Sequence, residues 1–210
     1  MRVPSTIQQP FPELEQIETI LQEGNAAYLH HQVLCQVPYG DDELPVYALT
    51  LGNRAPDVPC VAYVGGIHGL ERIGTQVVIA FLEGLLERLK WDRVLADILQ
   101  RVCIHFLPLV NPAGMLNKTR ANGQGVDLMR NAPVDSQEKT ILLAGGHRIS
   151  STLPWYRGKT NEPMQPEAQA LCDFITQEVL PAPFSLVLDC HSGFGFRNQI
   201  WQSKIGRAHV

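Results

Sequence analysis

The sequence lacks several features that would assign it to a specialised class of protein. Its N-terminus has no apolar stretch of signal-peptide length, and no segment approaches the roughly 18 apolar residues that a membrane span needs. Its net charge is only -4, which gives no electrostatic reason to bind nucleic acid or an anionic membrane. We therefore expect a cytoplasmic protein without nucleic-acid or membrane partners. The sequence does not indicate its oligomeric state.

Cysteines are few, and their spacing matches neither of two familiar kinds of site. There are five, an odd number, and no two have the C-x-x-C spacing. This pattern predicts neither a disulfide framework nor a zinc site built from thiolates. Cys60, Cys103 and Cys190 fall in apolar runs, where a cysteine is expected to act as a small buried hydrophobic residue. His105 lies in one of these runs and is expected to be a core histidine.

Length and composition indicate one ordinary globular domain. A chain of 210 residues can bury one sizeable core but is short for two. Apolar residues make up 45% of it and charged residues 18%, which are usual values for a globular protein. The sequence has no internal repeat, low-complexity tract or linker that would mark a domain boundary.

The pattern of apolar residues predicts strands alternating with helices. Helical spacing predicts helices at residues 13–23, ended by Gly24, and at 75–91 and 165–180. Two strands, at 31–40 and 44–52, are joined by the acidic turn "DDE". Nearly continuous apolar runs predict strands buried on both faces, at 58–66, 101–111 and 184–193. This alternation favours an α/β fold with helices on both faces of the sheet.

Polar residues follow each of the three buried strands. These strands end in "GGIHGLE", "NPAGM" and "DCHSG". In open α/β sheets ligands bind beyond the carboxyl ends of the strands, so the sequence predicts a site at this edge.

Two of these strand ends carry residue types that bind a catalytic metal. His68 and Glu71 are three residues apart, so a helical turn would bring both side chains to one face. His191 would supply a third ligand from another strand end. Two histidines and one glutamate form a catalytic zinc set, with water in the fourth position. A capping histidine and a solvated glutamate are the alternative explanation.

The segment "NPAGMLNKTRANGQGVDLMRN", residues 111–131, resembles the N-P-D-G … R … G-V-D-L-N-R-N block of the zinc metallocarboxypeptidases related to carboxypeptidase A. An H-x-x-E motif precedes it and a strand ending in C-H-S follows it, as in that family. The resemblance extends over residues 39–198. It implies a three-layer α/β/α sandwich with a mixed, mostly parallel central sheet and one zinc ion.

The resemblance also implies roles for single residues. It assigns His68, Glu71 and His191 to zinc, and it makes Asp127 the carboxylate that accepts a hydrogen bond from a ligand imidazole. Arg130 would bind the terminal carboxylate of the substrate, for which a guanidinium offers two parallel donors.

Two positions of the block differ from the family pattern. Met129 stands where the family has an asparagine that helps to bind the substrate carboxylate. Asn117 stands at the first position of the R-K-x-R run, where it is a candidate for binding substrate. Arg120 closes that run and is the candidate cation for the oxyanion.

The C-terminal end differs more. The family's general-base glutamate follows the third zinc ligand, but residues 194–210 contain no carboxylate. The last residues, "KIGRAHV", can be encoded by DNA that contains a sequencing-adapter sequence. We therefore expect a catalytic domain at residues 1–204, truncated and with its sheet incomplete at the C-terminus, and a non-native tail at 205–210. Without its base this chain would be nearly inactive, since one proton-transfer group contributes roughly 10²–10⁴-fold.

The expected function is zinc-dependent hydrolysis of a C-terminal peptide bond or peptide-like amide bond by metal-activated water. The substrate would be a peptide or an acylated amino acid. Two alternatives stay open from the sequence. One is an N-acyl amino acid deacylase of the same superfamily, and the other is a non-catalytic zinc- or peptide-binding protein, if the short chain is genuine.

Overall fold

The computed structural model describes residues 11–23, 28–134 and 145–192. Its helices and strands follow the alternation predicted from the sequence. In chain order they are α1 (Pro12–Glu23), β1 (Leu29–Tyr39), β2 (Asp42–Gly52), β3 (Cys60–Gly65), α2 (Arg72–Leu89), α3 (Arg93–Leu99), β4 (Cys103–Leu107), α4 (Pro112–Asn117), α5 (Pro166–Phe174) and β5 (Ser185–Cys190). A π-helical turn, Ile175–Val179, continues α5.

The described strands form one mixed sheet in the order β1-β2-β4-β3-β5. The pairs β1–β2 and β2–β4 are antiparallel, whereas β4–β3 and β3–β5 are parallel. All described strands except β2 therefore run in the same direction. This arrangement confirms the predicted α/β fold with a mixed, mostly parallel sheet, and it brings the carboxyl ends of β3, β4 and β5 to one edge.

Helices cover both faces of the sheet because its strands carry apolar side chains on both sides. Residues of α1, α2 and α3 pack on one face, where α2 contributes Val78, Ile79 and Leu82. On the other face, α5 and the π-helical turn bury Phe174 and Val179. The sandwich therefore has three layers, as predicted.

The hairpin between β1 and β2 is tighter than the acidic "DDE" turn predicted from the sequence. Tyr39 pairs with Asp42, so only Gly40 and Asp41 form the loop. Gly40 has φ +61°, a conformation that glycine adopts without strain. Asp42 and Glu43 therefore belong to β2, because a two-residue loop matches the strand twist.

The expectation that β5 is buried on both faces is wrong for the described part of the chain. β5 pairs with β3 along one edge, and no strand among residues 11–23, 28–134 and 145–192 pairs with its other edge. Leu186 is 43% exposed as a result. Cys190 is only half-buried, unlike the fully buried cysteine predicted there.

The helices also differ from the sequence prediction in detail. α2 begins at Arg72 and ends at Leu89, rather than spanning 75–91, because the chain turns helically directly after Glu71. The helix predicted at 165–180 changes to π geometry after Phe174, where the N–H of Leu180 bonds to Ile175 O at 2.9 Å. The short helices α3 and α4 were not predicted.

Some predictions fall on residues outside the described ranges. These are the end of the first helix at Gly24 and the tail at 205–210. The single domain at residues 1–204 stays a prediction. No helix in the described ranges is both long enough and apolar enough to cross a bilayer.

Candidate functional site

The structure brings His68, Glu71 and His191 together at the carboxyl edge of the sheet. His68 lies in the loop after β3, Glu71 immediately precedes α2, and His191 follows β5. Because β3 and β5 are parallel neighbours, their ends lie side by side. One donor atom from each of the three side chains lies within 4.8 Å of the other two.

The loop that carries His68 is held by a glycine turn and a buried asparagine. Gly66 has φ +64°, which turns the chain as it leaves β3. Asn111, fully buried after β4, donates from Nδ2 to Ile67 O at 3.1 Å and accepts from the N–H of Gly114 at 2.8 Å. This side chain therefore ties the loop after β3 to the start of α4.

His68 contacts a carboxylate with each ring nitrogen. Nδ1 lies 2.9 Å from Glu71 Oε1, and Nε2 lies 3.2 Å from Asp127 Oδ1. Burial alone would lower the pKa of His68, but the hydrogen bonds to Asp127 and Glu71 outweigh it and raise the pKa. A carboxylate on one nitrogen fixes the tautomer and makes the other nitrogen a better metal ligand.

Glu71 is positioned by the start of α2 and by the end of β5. Its Oε2 accepts a hydrogen bond from the N–H of Ser192 at 2.6 Å. Burial would raise the pKa of Glu71, but the bonds from His68 and Ser192 lower it. Since helix N-termini carry partial positive charge, α2 also favours the ionised carboxylate.

His191 is the most exposed member of the group and makes the site accessible from solvent. Its Nδ1 lies 2.6 Å from Asp189 Oδ1. Its ring centre lies 4.7 Å from that of His68, with the ring planes at 79°. The two imidazoles therefore face one space from different directions.

Asp127 and Arg120 form an ion pair beside this group. Arg120 Nε donates to Asp127 Oδ2 at 2.9 Å, and Arg120 Nη1 lies 3.7 Å from Glu71 Oε1. Asp127 is 1% exposed. Burial would raise the pKa of Asp127, but the hydrogen bonds from His68 and Arg120 outweigh it and lower the pKa to about 2. The structure thus brings Arg120 and Asp127 to the predicted metal ligands.

The predicted substrate-binding residues lie beside other parts of the chain. Arg130 bonds through its backbone N–H to Asp127 O, and its side chain lies against Gly146. Asn117, the last residue of α4, accepts a hydrogen bond from the Tyr39 hydroxyl at 3.2 Å. The roles of these two residues stay predictions.

Three residues that position the site were not singled out in the sequence. They are Asn111, Asp189 and Ser192. Asn111 had a local signal, because an asparagine followed by proline is a common helix start. Asp189 and Ser192 flank His191, but only the pairing of β5 with β3 shows that they reach the site.

The chain is similar in sequence to known carboxypeptidases. Carboxypeptidase E of Caenorhabditis elegans is 29% identical over 161 residues, covering 70% of this chain and 33% of the relative. Carboxypeptidase SOL1 of Arabidopsis thaliana is 27% identical over 92 residues, covering 42% of this chain and 19% of the relative. The chain therefore matches a third or less of the length of these relatives.

Solved structures show the same fold. The carboxypeptidase A of Helicoverpa armigera superposes with a TM-score of 0.63 at 16% identity, covering 86% of this chain and 44% of that structure. A family model described as zinc carboxypeptidase matches residues 41–205, which include every predicted site residue. The chain belongs to the zinc carboxypeptidase family.

Proposed function

We propose that this chain carries the metal site of a zinc-dependent hydrolase of the metallocarboxypeptidase type, which removes a C-terminal residue from a peptide or a peptide-like amide. The observation that carries the proposal is the meeting of His68, Glu71 and His191 at one edge of the sheet, in a chain of this family.

The donor set suits zinc. Two imidazoles and one carboxylate are typical ligands of a catalytic zinc site, which keeps one position open. His68 is buried and oriented by Asp127, whereas His191 is exposed. The space between the two imidazoles therefore has one rigidly held ligand and is open to solvent on the side of His191. When bound, the metal supplies Lewis acidity, which polarises a carbonyl and acidifies water.

Arg120 supplies the positive charge of the proposed mechanism. It is 30% exposed and held by Asp127, so the guanidinium stays near the ligands while keeping free surface. A fixed cation of this kind stabilises the negative charge that develops on the substrate carbonyl oxygen. Asp127 holds both His68 and Arg120, and thereby sets the distance between the metal ligands and the cation.

Arg130 is the proposed partner of the substrate's terminal carboxylate. A guanidinium can form two parallel hydrogen bonds to a carboxylate, which favours substrates with a free C-terminus. Met129 cannot donate a hydrogen bond from its side chain, so Arg130 would act without a neighbouring amide. This role of Arg130 also favours a peptide as the substrate.

Metal analysis of variants tests the ligand set. We expect His68→Ala and His191→Ala each to lose the zinc of this site after dialysis against a weak chelator. His31→Ala is the control, because His31 is exposed on β1 in the same chain. Unchanged zinc content in both ligand variants would show that the metal assignment is wrong.

A substrate comparison tests the reaction. We expect a peptide with a free C-terminal carboxylate to bind more tightly than its C-terminal amide, and Arg130→Ala to abolish the difference. Binding is measured alongside release of the last residue, so that an effect of Arg130→Ala on affinity is separated from an effect on turnover. Cleavage of an N-acyl amino acid in preference to the peptide would favour the deacylase instead. Zinc binding with neither reaction would favour a binding protein.

A further inference from the structure

A second group of metal-binding side chains lies at the opposite edge of the sheet. Cys60 and Cys103 are the first residues of β3 and β4, and the two are paired across these parallel strands. His105 follows Cys103 by two residues and therefore points to the same face of β4. All three side chains are buried. Cys60 lies about 16 Å from the carboxyl end of β3, at roughly 3.3 Å per residue.

The spacing of these side chains suits one tetrahedral ion. The two thiol sulfurs and one nitrogen of His105 lie within 4.8 Å of one another. Cys103 Sγ lies 3.4 Å from His105 Nε2. Zinc–sulfur bonds of about 2.3 Å and zinc–nitrogen bonds of about 2.05 Å, at the tetrahedral angle, place sulfur and nitrogen about 3.6 Å apart. The atoms would therefore move only slightly on binding.

The orientation of His105 also suits a ligand. Its Nδ1 lies 2.8 Å from Thr50 Oγ1 on the neighbouring strand β2, and its ring packs edge-on against Phe174 at 5.0 Å. When Nδ1 donates its proton to Thr50, the lone pair of Nε2 faces Cys103. Ligating histidines are usually fixed in this way by a hydrogen bond from the second nitrogen.

Metal binding at this group would release protons. Cys60 and Cys103 would bind as thiolates, so the protons of their thiols leave when a metal replaces them.

A cavity connects this group to solvent. It has a volume of about 80 Å³ and is lined by the two cysteines and His105 together with Arg54, Gln177 and Glu178. The last three are exposed residues, so an ion can enter from solvent. A water molecule in this cavity can complete four coordination.

We propose that Cys60, Cys103 and His105 form a second metal site, which takes a thiophilic divalent ion such as zinc and is separate from the His68, Glu71 and His191 group. The absence of C-x-x-C spacing does not argue against it, because strand pairing rather than a local loop brings the ligands together. This site would join β3, β4 and, through Thr50, β2 at the amino edge of the parallel strands.

Cobalt substitution distinguishes the two sites in the intact 210-residue chain. Thiolate ligands give Co²⁺ a sulfur-to-metal charge-transfer absorption in the near ultraviolet, which imidazole and carboxylate ligands do not give. We expect this absorption in the unmodified chain and in His68→Ala, but not in Cys60→Ala or Cys103→Ala. Cys172→Ala, which removes a half-buried cysteine of α5, is the matched control and should retain it. Zinc content should fall by one ion per chain in each cysteine variant of the site.

A second measurement uses the unmodified chain, so it does not require any variant to fold. Zinc should protect Cys60 and Cys103 of the unmodified, reduced chain from a thiol reagent, with the modified positions mapped by mass spectrometry. The proposal is overturned if the unmodified chain shows no charge-transfer absorption, or if the absorption survives in Cys103→Ala. It is also overturned if zinc leaves both cysteines unprotected. Because His68→Ala tests the first site separately, failure of one assignment leaves the other intact.

Discussion

Gly74, in the first turn of α2, allows this helix to approach the end of β5 closely. A Cβ at this position would lie 1.9 Å from the carbonyl oxygen of Cys190, the residue before His191. Real Cβ atoms essentially never approach other atoms closer than 3.0 Å, so the two segments must separate in Gly74→Ala by about 1.1 Å, the difference between these distances. The obstacle is backbone, which cannot rotate away as a side chain can.

A separation of this size exceeds the tolerance of a metal site. Binding groups must be held within about 0.5 Å of their working positions. The separation acts between Glu71, which precedes α2, and His191, which follows β5. We therefore expect zinc affinity at this site to fall about 10–100-fold, as when a supporting residue of a metal site is lost. The free energy of unfolding should also fall, by about 1–3 kcal/mol, as in overpacked cores.

Chelator competition measures the affinity, and urea unfolding measures the stability. Gly84→Ala is the matched control, because it makes the same substitution in the same helix with no atom within 4 Å of the new Cβ. That variant should keep its zinc affinity. Its free energy of unfolding should rise by about 0.5–1 kcal/mol, since alanine is more stable than glycine in a helix interior. Wild-type affinity and a similar gain in Gly74→Ala would refute the idea that this contact positions the ligands.

Three further variants test other contacts of the fold and site. Asp127→Asn removes the negative charge that His68 and Arg120 share, and we expect zinc affinity, measured by chelator competition, to fall about 10–100-fold. Asn111→Ala leaves buried backbone groups without partners and should cost about 2–4 kcal/mol in urea unfolding. Burial and the nearby Glu18 raise the pKa of Tyr47 to about 12, so its contribution to stability is complete below pH 10 and is lost progressively as the pH rises to about 12. Tyr47→Phe should remove up to about 3 kcal/mol of that alkaline loss, measured by urea unfolding across this range.

For each of these variants, one outcome would contradict the prediction. Unchanged zinc affinity in Asp127→Asn would mean that this carboxylate does not orient the ligand imidazole. A loss below about 0.5 kcal/mol in Asn111→Ala would mean that its hydrogen bonds are replaced by solvent. If the free energy of unfolding fell equally with rising pH in wild type and Tyr47→Phe, the pKa of Tyr47 would not be raised in the folded protein. Gln76→Ala, at an exposed position of α2, is a control for the stability measurements.

The parts of the fold that could be predicted are those in which the signal is local. The runs that became β3 and β4 are apolar on both faces because helices cover both faces, and this burial is visible in the sequence itself. The helices α3 and α4 span only 7 and 6 residues, too few for a clear apolar period. Their caps, Asp92 and Asn111, were the available signal. The exposure of β5 depends on which strands flank it, which no local pattern contains.

The two candidate ligand groups, which lie at opposite edges of one sheet, differ in how far the sequence could predict them. His68 and Glu71 lie three residues apart in one turn, so their proximity follows from local geometry, and only His191 needed the sheet. Cys60 and Cys103 are 43 positions apart in the sequence, and only the register of β3 against β4 pairs them. A shift of one residue in that register would turn the two side chains to opposite faces of the sheet. A ligand set drawn from neighbouring strand starts therefore has no sequence signature, and it is found only once the register is known.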